Sequence, residues 1–272
     1  MALISQEDIE RISPFFKTRA GRRLIGFGMR ISGLKDVSDL YERNEHLKGP
    51  AFADGCLKDL DLKYEVAGME HLQGLEDKPF ITISNHPYGG LDGLIIIDLI
   101  GHFREDYKVM ANSILSLVKT LEDNFISVIP YNKASQGIAN ESIAGIRMAL
   151  AHVRDGHPLG LFPSGAVSDY SFRDRCVRDR QWQDSAIRLI RRMKVPVVPI
   201  HFLDRNSNLF YFLGLINWKL RMMRLQREVI NKRGKTVHLA IGPVIDVETQ
   251  EACPEDQFAS MLRNSVYGAV AV

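Results

Sequence analysis

The feature that most constrains this chain is an alternation that begins near residue 61. Short apolar runs, each bounded by turn-forming residues, take turns with longer amphipathic stretches. "LKYEVAG", "PFITISN", "YKVMA", "NFISVIP", "PLGLFP", "VPVVPIHF" and "KTVHLAIG" read as strands. "LDGLIIIDLIGHF", "SILSLVKTL", "ESIAGIRMALAHVRDG" and "WQDSAIRLIRRM" read as helices, the third stopped by Gly156. Strands that alternate with helices predict an α/β fold: a mixed, largely parallel sheet flanked by helices. Such sheets carry their chemistry at the C-terminal ends of strands, where His86 and Gly165 fall. Pro196 and Pro199 predict an edge or bulged position for "VPVVPIHF". Residues 5–60 read as helical and polar-rich, with breaks at Pro14, Gly33 and Pro50. The expected division is an N-terminal helical, membrane-facing segment over 1–60 and an α/β domain over 61–272.

Composition narrows the function classes. The net charge of +2 does not call for nucleic acid, and the basic segments lack interleaved base-stacking aromatics. Cys56, Cys176 and Cys253 form no CxxC pair, which suits reduced thiols in a cytosolic protein. The acidic "MALISQEDIE" start lacks the apolar core of a secretory signal. No apolar window approaches the ~18 residues of a spanning helix. His46, His71, His102, His152, His157, His201 and His238 are scattered and contain no HExxH, so no metal is expected.

Two segments combine basic and apolar residues. Residues 15–30 either pack on the main domain with a solvated basic face or lie against anionic lipid. Residues 209–235 offer the same choice between a core helix and a membrane contact. In the membrane reading Tyr211 and Trp218 stand at the headgroup level, and Arg221, Arg224, Arg227, Lys232 and Arg233 meet the anionic leaflet.

The stretch "NHPYGGLD" puts a histidine and an aspartate in one flexible loop. An imidazole accepts a proton near neutral pH, and it works best as a base when a carboxylate fixes its other nitrogen. Asp92 is the candidate, and Gly89-Gly90 lets the loop fold back toward His86. The bland alternative makes Asp92 a helix cap and His86 a loop residue. Further on, "FPSGAVS" turns out of a strand, and its backbone N–H groups suit an oxyanion or a phosphate.

In this order, "NHPYGGLD", "FPSGAVS" and "VPVVP" resemble the motifs of the PlsC-like glycerolipid and lysophospholipid acyltransferases, over residues 62–245. "ANSILS", "IPYN", "LDRNSNLF" and "NKRGKTVHLAIGPVI" resemble a bacterial branch labelled hemolysin, which acylates lyso-lipids, including lyso forms of amino-acid lipids. The resemblance implies an O-acyltransferase with His86 as general base and Asp92 as its partner. The implied substrate contacts are Asn85, Asn112, Tyr131, Pro163, Ser164, Gly165, Arg173 and Arg205. It implies no bound cofactor. The acyl donor would be acyl-CoA or an acyl-carrier-protein thioester, and the acceptor a lyso-lipid. The implied location is cytoplasmic, peripheral to the inner face of the cell membrane.

Three positions depart from the family pattern. Five residues, not four, separate His86 from Asp92. Ser164 and Val167 stand where the family has glutamate and arginine, and "FISVIPYN" lacks the family's arginine. Neither valine nor tyrosine replaces a guanidinium that grips phosphate with two parallel bonds. The departures favour a lyso amino-acid lipid over lysophosphatidate. The basic run Arg173, Arg175, Arg178 and Arg180 either supplies phosphate contacts or is a solvated face. Two other classes compete: a serine hydrolase with Ser164 as nucleophile, and a non-catalytic lipid-binding member of the family.

Overall fold

A computed structural model describes residues 32–112, 118–128 and 139–270, together with Thr18. Apart from Thr18 the segment 15–30 lies outside the described residues, as does Tyr131. In chain order the elements are α1 (Leu34–Asn44), α2 (Gly49–Asp59), β1 (Lys63–Ala67), β2 (Ile81–Ser84), α3 (Gly90–Phe103), β3 (Lys108–Asn112), β4 (Phe125–Val128), α4 (Ala139–Arg154), β5 (Leu159–Leu161), β6 (Asp169–Ser171), β7 (Cys176–Arg178), α5 (Asp184–Met193), β8 (Val197–Phe202), α6 (Asn208–Ile216), α7 (Trp218–Met223), α8 (Leu225–Ile230), β9 (Thr236–Ile241), α9 (Val247–Ala252) and α10 (Glu255–Gly268).

The main sheet has the order β1-β9-β8-β2-β5-β3-β4. All neighbours in it are parallel except β8 and β9. β6 and β7 form a separate antiparallel hairpin. Side chains along a strand point alternately to the two faces of a sheet, so an apolar run feeds two cores. Val198 and Ile200 of β8 join a cluster with Phe52 and Leu57 of α2 and Ile95 and Ile96 of α3. Val197 joins the opposite cluster, with Val153 of α4, Ile190 of α5 and Leu262 of α10. Helices therefore cover both faces, as a mainly parallel sheet requires.

The helical region is interrupted between Asn44 and Gly49, just before Pro50. Pro50 itself stands in the first turn of α2, where its missing N–H is not needed. Gly33 marks a helix start: it caps α1 with φ of 78°, and a Cβ there would press on the backbone of Arg227.

"VPVVPIHF" does not lie at an edge. β8 is interior to the sheet, between β9 and β2. The ladder explains how it tolerates Pro199. Ile81 N–H donates to Pro196 O, so by the alternation of parallel bonding the even-numbered residues of this strand face β2 and Pro199 faces away. On that other flank Pro199 contributes only its carbonyl, which accepts the Gly242 N–H at 2.8 Å. "SILSLVKTL" is described only from residue 118 onward, where Lys119–Asn124 forms a 3₁₀ turn.

The charged residues of 209–235 do not form one outer face. Arg221 and Lys232 are buried, as is Tyr211. Arg224 pairs with Glu228 at 3.1 Å, and Arg227 with Asp36 at 3.2 Å. The solvent-facing side of α6 and α7 is instead mainly apolar: Leu209, Phe212, Leu215, Ile216, Trp218 and Met223 are all exposed, alongside Lys219.

Candidate active site

Three neighbouring strands, β5, β2 and β8, end at one edge of the sheet. β2 delivers Asn85 and His86 there. β5 delivers the loop 162–168, and β8 delivers the loop 203–207. The motifs that are far apart in sequence meet because parallel strands gather their exit loops on the same side.

After His86 the chain turns at Gly89 (φ 79°) and enters α3. Asp92 stands in the first turn of that helix and is fully buried. Its Oδ2 accepts the N–H groups of Tyr88 at 2.9 Å and Gly89 at 3.0 Å. The same oxygen lies 2.8 Å from His86 Nδ1. Helix cap and histidine partner are thus one carboxylate, brought to the ring by the turn at Gly89. The ring N–H is not yet in line with Oδ2, and Asp92 Oδ1 has no hydrogen-bond partner among the described residues. Contacts of this kind often straighten only when substrate is bound. Burial pushes the Asp92 carboxyl above its ordinary range, while the His86 contact and the two N–H donors oppose that rise.

The backbone of His86 is clamped from both sides. Its N–H donates to Asp179 Oδ1 at 3.1 Å, and its carbonyl accepts the Ser168 N–H at 2.8 Å. Asp179 also accepts from Ser168 Oγ at 2.6 Å and Trp182 Nε1 at 3.1 Å. The His86 ring leans on Phe162, with centroids 4.3 Å apart. The sequence reading missed Asp179, which lies within the basic run. The one available signal was an acid in "RDRQW", three residues before a tryptophan whose N–H needs an acceptor.

The other expected contacts divide. Asn85 binds the fold: its Oδ1 accepts Phe202 N–H at 2.8 Å and its Nδ2 donates to Phe202 O at 2.9 Å. That pair ties the exit of β2 to the end of β8. Pro163 and Ser164 are buried, and Pro163 O accepts the Gln183 N–H. The Gly165 N–H, expected to face an oxyanion, closes a turn on Phe162 O at 2.9 Å. Ser164 Oγ donates to Ala166 O at 2.8 Å, an arrangement that does not present it to His86 as a nucleophile. Asn112 ends β3 and is exposed. Arg173 is exposed in the turn between β6 and β7. Arg205 is exposed on the loop after β8, where it donates to Asn208 Oδ1 at 3.3 Å. Val167, at the position where the resemblance expects arginine, packs on Phe210 and Tyr211.

Chemically, the site holds a carboxylate against Nδ1 of a partly exposed imidazole. Nε2 is then the basic nitrogen. It can take a proton from a hydroxyl while Asp92 stabilises the imidazolium that forms.

The chain is similar to known proteins along most of its length. A curated lyso-glycine lipid O-acyltransferase from Phocaeicola vulgatus is 29% identical over 275 aligned residues, covering 96% of this chain and 94% of the relative. One of the same description from Bacteroides thetaiotaomicron is 29% identical over 254, covering 90% and 89%. The crystal structure of the 1-acyl-sn-glycerophosphate acyltransferase PlsC from Thermotoga maritima aligns with a TM-score of 0.48 and 16% identity, covering 80% of this chain and 79% of that one. The acyltransferase family profile matches residues 4–268, and the chain belongs to that family: it is an acyltransferase.

Proposed function

We propose that this enzyme moves a fatty acyl group from a thioester to the hydroxyl of a lyso-lipid in membrane lipid biosynthesis, with a lyso amino-acid lipid as the preferred acceptor. The observation that carries the reading is the 2.8 Å contact between His86 Nδ1 and Asp92 Oδ2 at the sheet edge. His86 Nε2 removes the acceptor's hydroxyl proton as the oxygen attacks the thioester carbonyl. The tetrahedral intermediate collapses, the C–S bond breaks, and the thiolate leaves and is protonated by imidazolium. No acyl-enzyme forms, because the acceptor is itself the nucleophile. The donor is acyl-CoA or acyl carrier protein.

Two observations support an amino-acid lipid. Both full-length curated relatives carry the name lyso-glycine lipid O-acyltransferase. Val167 is buried among aromatic side chains where a phosphate-gripping arginine would otherwise stand. The test is a comparison of kcat/KM for a lyso-glycine lipid and for lysophosphatidate, with each thioester donor in turn. The expected result is a preference for the lyso-glycine lipid of at least about tenfold, the worth of one lost charged hydrogen bond. A preference for lysophosphatidate overturns this acceptor assignment.

A lipid acceptor is reached from a membrane surface. Among the described residues no helix is long and apolar enough to cross one. The exposed apolar face of α6 and α7 is the proposed contact, peripheral to the inner face of the cell membrane. Trp218, 61% exposed at the start of α7, suits the headgroup region.

A further inference from the structure

On the β8 side of the His86 loop is a cavity of about 530 Å³, whose lining includes Tyr88, Arg205, Asn206, Glu228, Lys232 and Lys235. It shares the candidate site's edge of the sheet. Tyr88 stands two residues after His86, and Asn206 Nδ2 donates to Pro87 O at 3.0 Å, so the cavity wall and the His86 loop are joined.

The lining is polar, and its buried lysine is incompletely paired. Lys232 is only 8% exposed. Its ammonium donates to Arg205 O at 2.6 Å and lies 4.4 Å from the centre of the Tyr88 ring. An ammonium has three donors, and that one bond leaves two. The neighbouring acid does not absorb them. Glu228 accepts from Ser207 N–H, Ser207 Oγ, Arg224 Nε and Asn231 Nδ2. Asp204, also on the wall, accepts from His238 N–H and Nδ1. Burial lowers the pKa of Lys232, the direction expected of an ammonium without a dedicated counter-ion. A buried ammonium is normally fully paired, and one with donors to spare beside a cavity indicates a ligand that supplies the missing partners.

The charges on the wall define the ligand. Lys232 offers donors to an anionic oxygen, with Arg205 and Lys235 exposed on the same wall. The carboxylate terminus of an N-acylated amino acid, the acceptor class proposed above, answers that demand. We infer that this cavity holds the carboxylate head group of the acceptor, with Lys232 as its counter-ion, while the acceptor's hydroxyl lies at His86. The assignment rests on the acyltransferase reading above and names the part of the site that selects the head group.

The test separates binding from turnover. A short-chain N-acylglycine and its methyl ester are titrated into the protein by calorimetry. Wild type is expected to bind the free acid at least about tenfold more tightly than the ester. Lys232→Met should erase most of that preference. If Lys232→Met fails to fold, Arg205→Gln, on an exposed side chain, carries the same comparison with a smaller expected loss. Equal binding of acid and ester by wild type, or an unchanged preference in a folded Lys232→Met or Arg205→Gln protein, overturns the assignment. Acyl transfer to a lyso-glycine lipid is measured in parallel. Selective binding of the acid without any transfer would sink the proposed function and leave the cavity assignment standing. Transfer without selectivity for the acid would do the reverse.

Discussion

The main-chain N–H of His86 donates to Oδ1 of Asp179 at 3.1 Å, although the two residues stand 93 positions apart. Asp179 touches neither ring nitrogen, so it is a positioning residue. Asp179→Ala removes the acceptor for His86 N–H, Ser168 Oγ and Trp182 Nε1 together, at about 1–3 kcal/mol for each donor left buried. We expect a lower melting temperature and a fall in kcat of about tenfold or more, with KM for the thioester donor changed much less. Asp179→Asn keeps one acceptor oxygen and should recover part of kcat. A matched loss in kcat for both variants, or an effect on KM alone, would refute the positioning role.

Asp92→Asn separates catalysis from stability. Burial raises the Asp92 pKa above its unfolded value. A carboxyl shifted that way favours the fold when protonated. That contribution is present below the unfolded pKa and is lost as pH rises through the folded one. Above the folded pKa the ionised, buried carboxylate therefore costs stability. Asparagine removes the charge and keeps an oxygen for the Tyr88 and Gly89 N–H groups. The variant should melt at or above the wild-type temperature near neutral pH, and this advantage should shrink as pH is lowered. It should also lose most of its activity, because a neutral amide does not stabilise imidazolium. A variant that keeps full rate would show that the 2.8 Å contact is not used.

The apolar face of α6 and α7 should hold the protein on lipid. Replacing Phe212, Ile216 and Trp218 together by serine removes three exposed side chains without touching a core cluster. Sedimentation with anionic vesicles should show at least about a tenfold loss of bound protein, with the melting temperature held within a few degrees. Added salt should weaken wild-type binding only in part, since α6 is apolar and uncharged and surface charge attraction is what salt screens. Unchanged sedimentation of the triple variant would remove this face from the membrane contact.

Much of the fold was legible because β2, β8 and β9 are runs of β-branched and apolar residues with turn signals around them, and the residues tell the two faces apart by alternation. The His86–Asp92 pair was legible for a different reason: histidine, aspartate and two glycines fall within one short loop. Asp179 was hidden because its neighbours in sequence are arginines, while its partners come from other loops. Lys232 and Arg221 were read as a charged membrane face because helical segments rich in basic residues usually are. Their burial follows from the loop 203–207 and the β6–β7 hairpin folding over them, with Arg221 paired to Asp169 and Lys232 bonded to Arg205 O. Pro199 misled only as to the edge: β8 is interior, but between Val197, paired with Ile245, and Pro199, bonded to Gly242, the register slips by one residue, which is the bulged position the prolines predicted.

The central claim is that His86, held by Asp92, is the base that activates the acceptor hydroxyl. The most direct measurement is acyl transfer from a thioester to a lyso-glycine lipid by purified His86→Ala protein, with its fold checked by melting temperature. The account predicts a loss of about 10²–10⁴ in kcat, the usual worth of a general base, with the melting temperature near that of wild type. A folded His86→Ala protein that transfers the acyl group within a few-fold of the wild-type rate would contradict it.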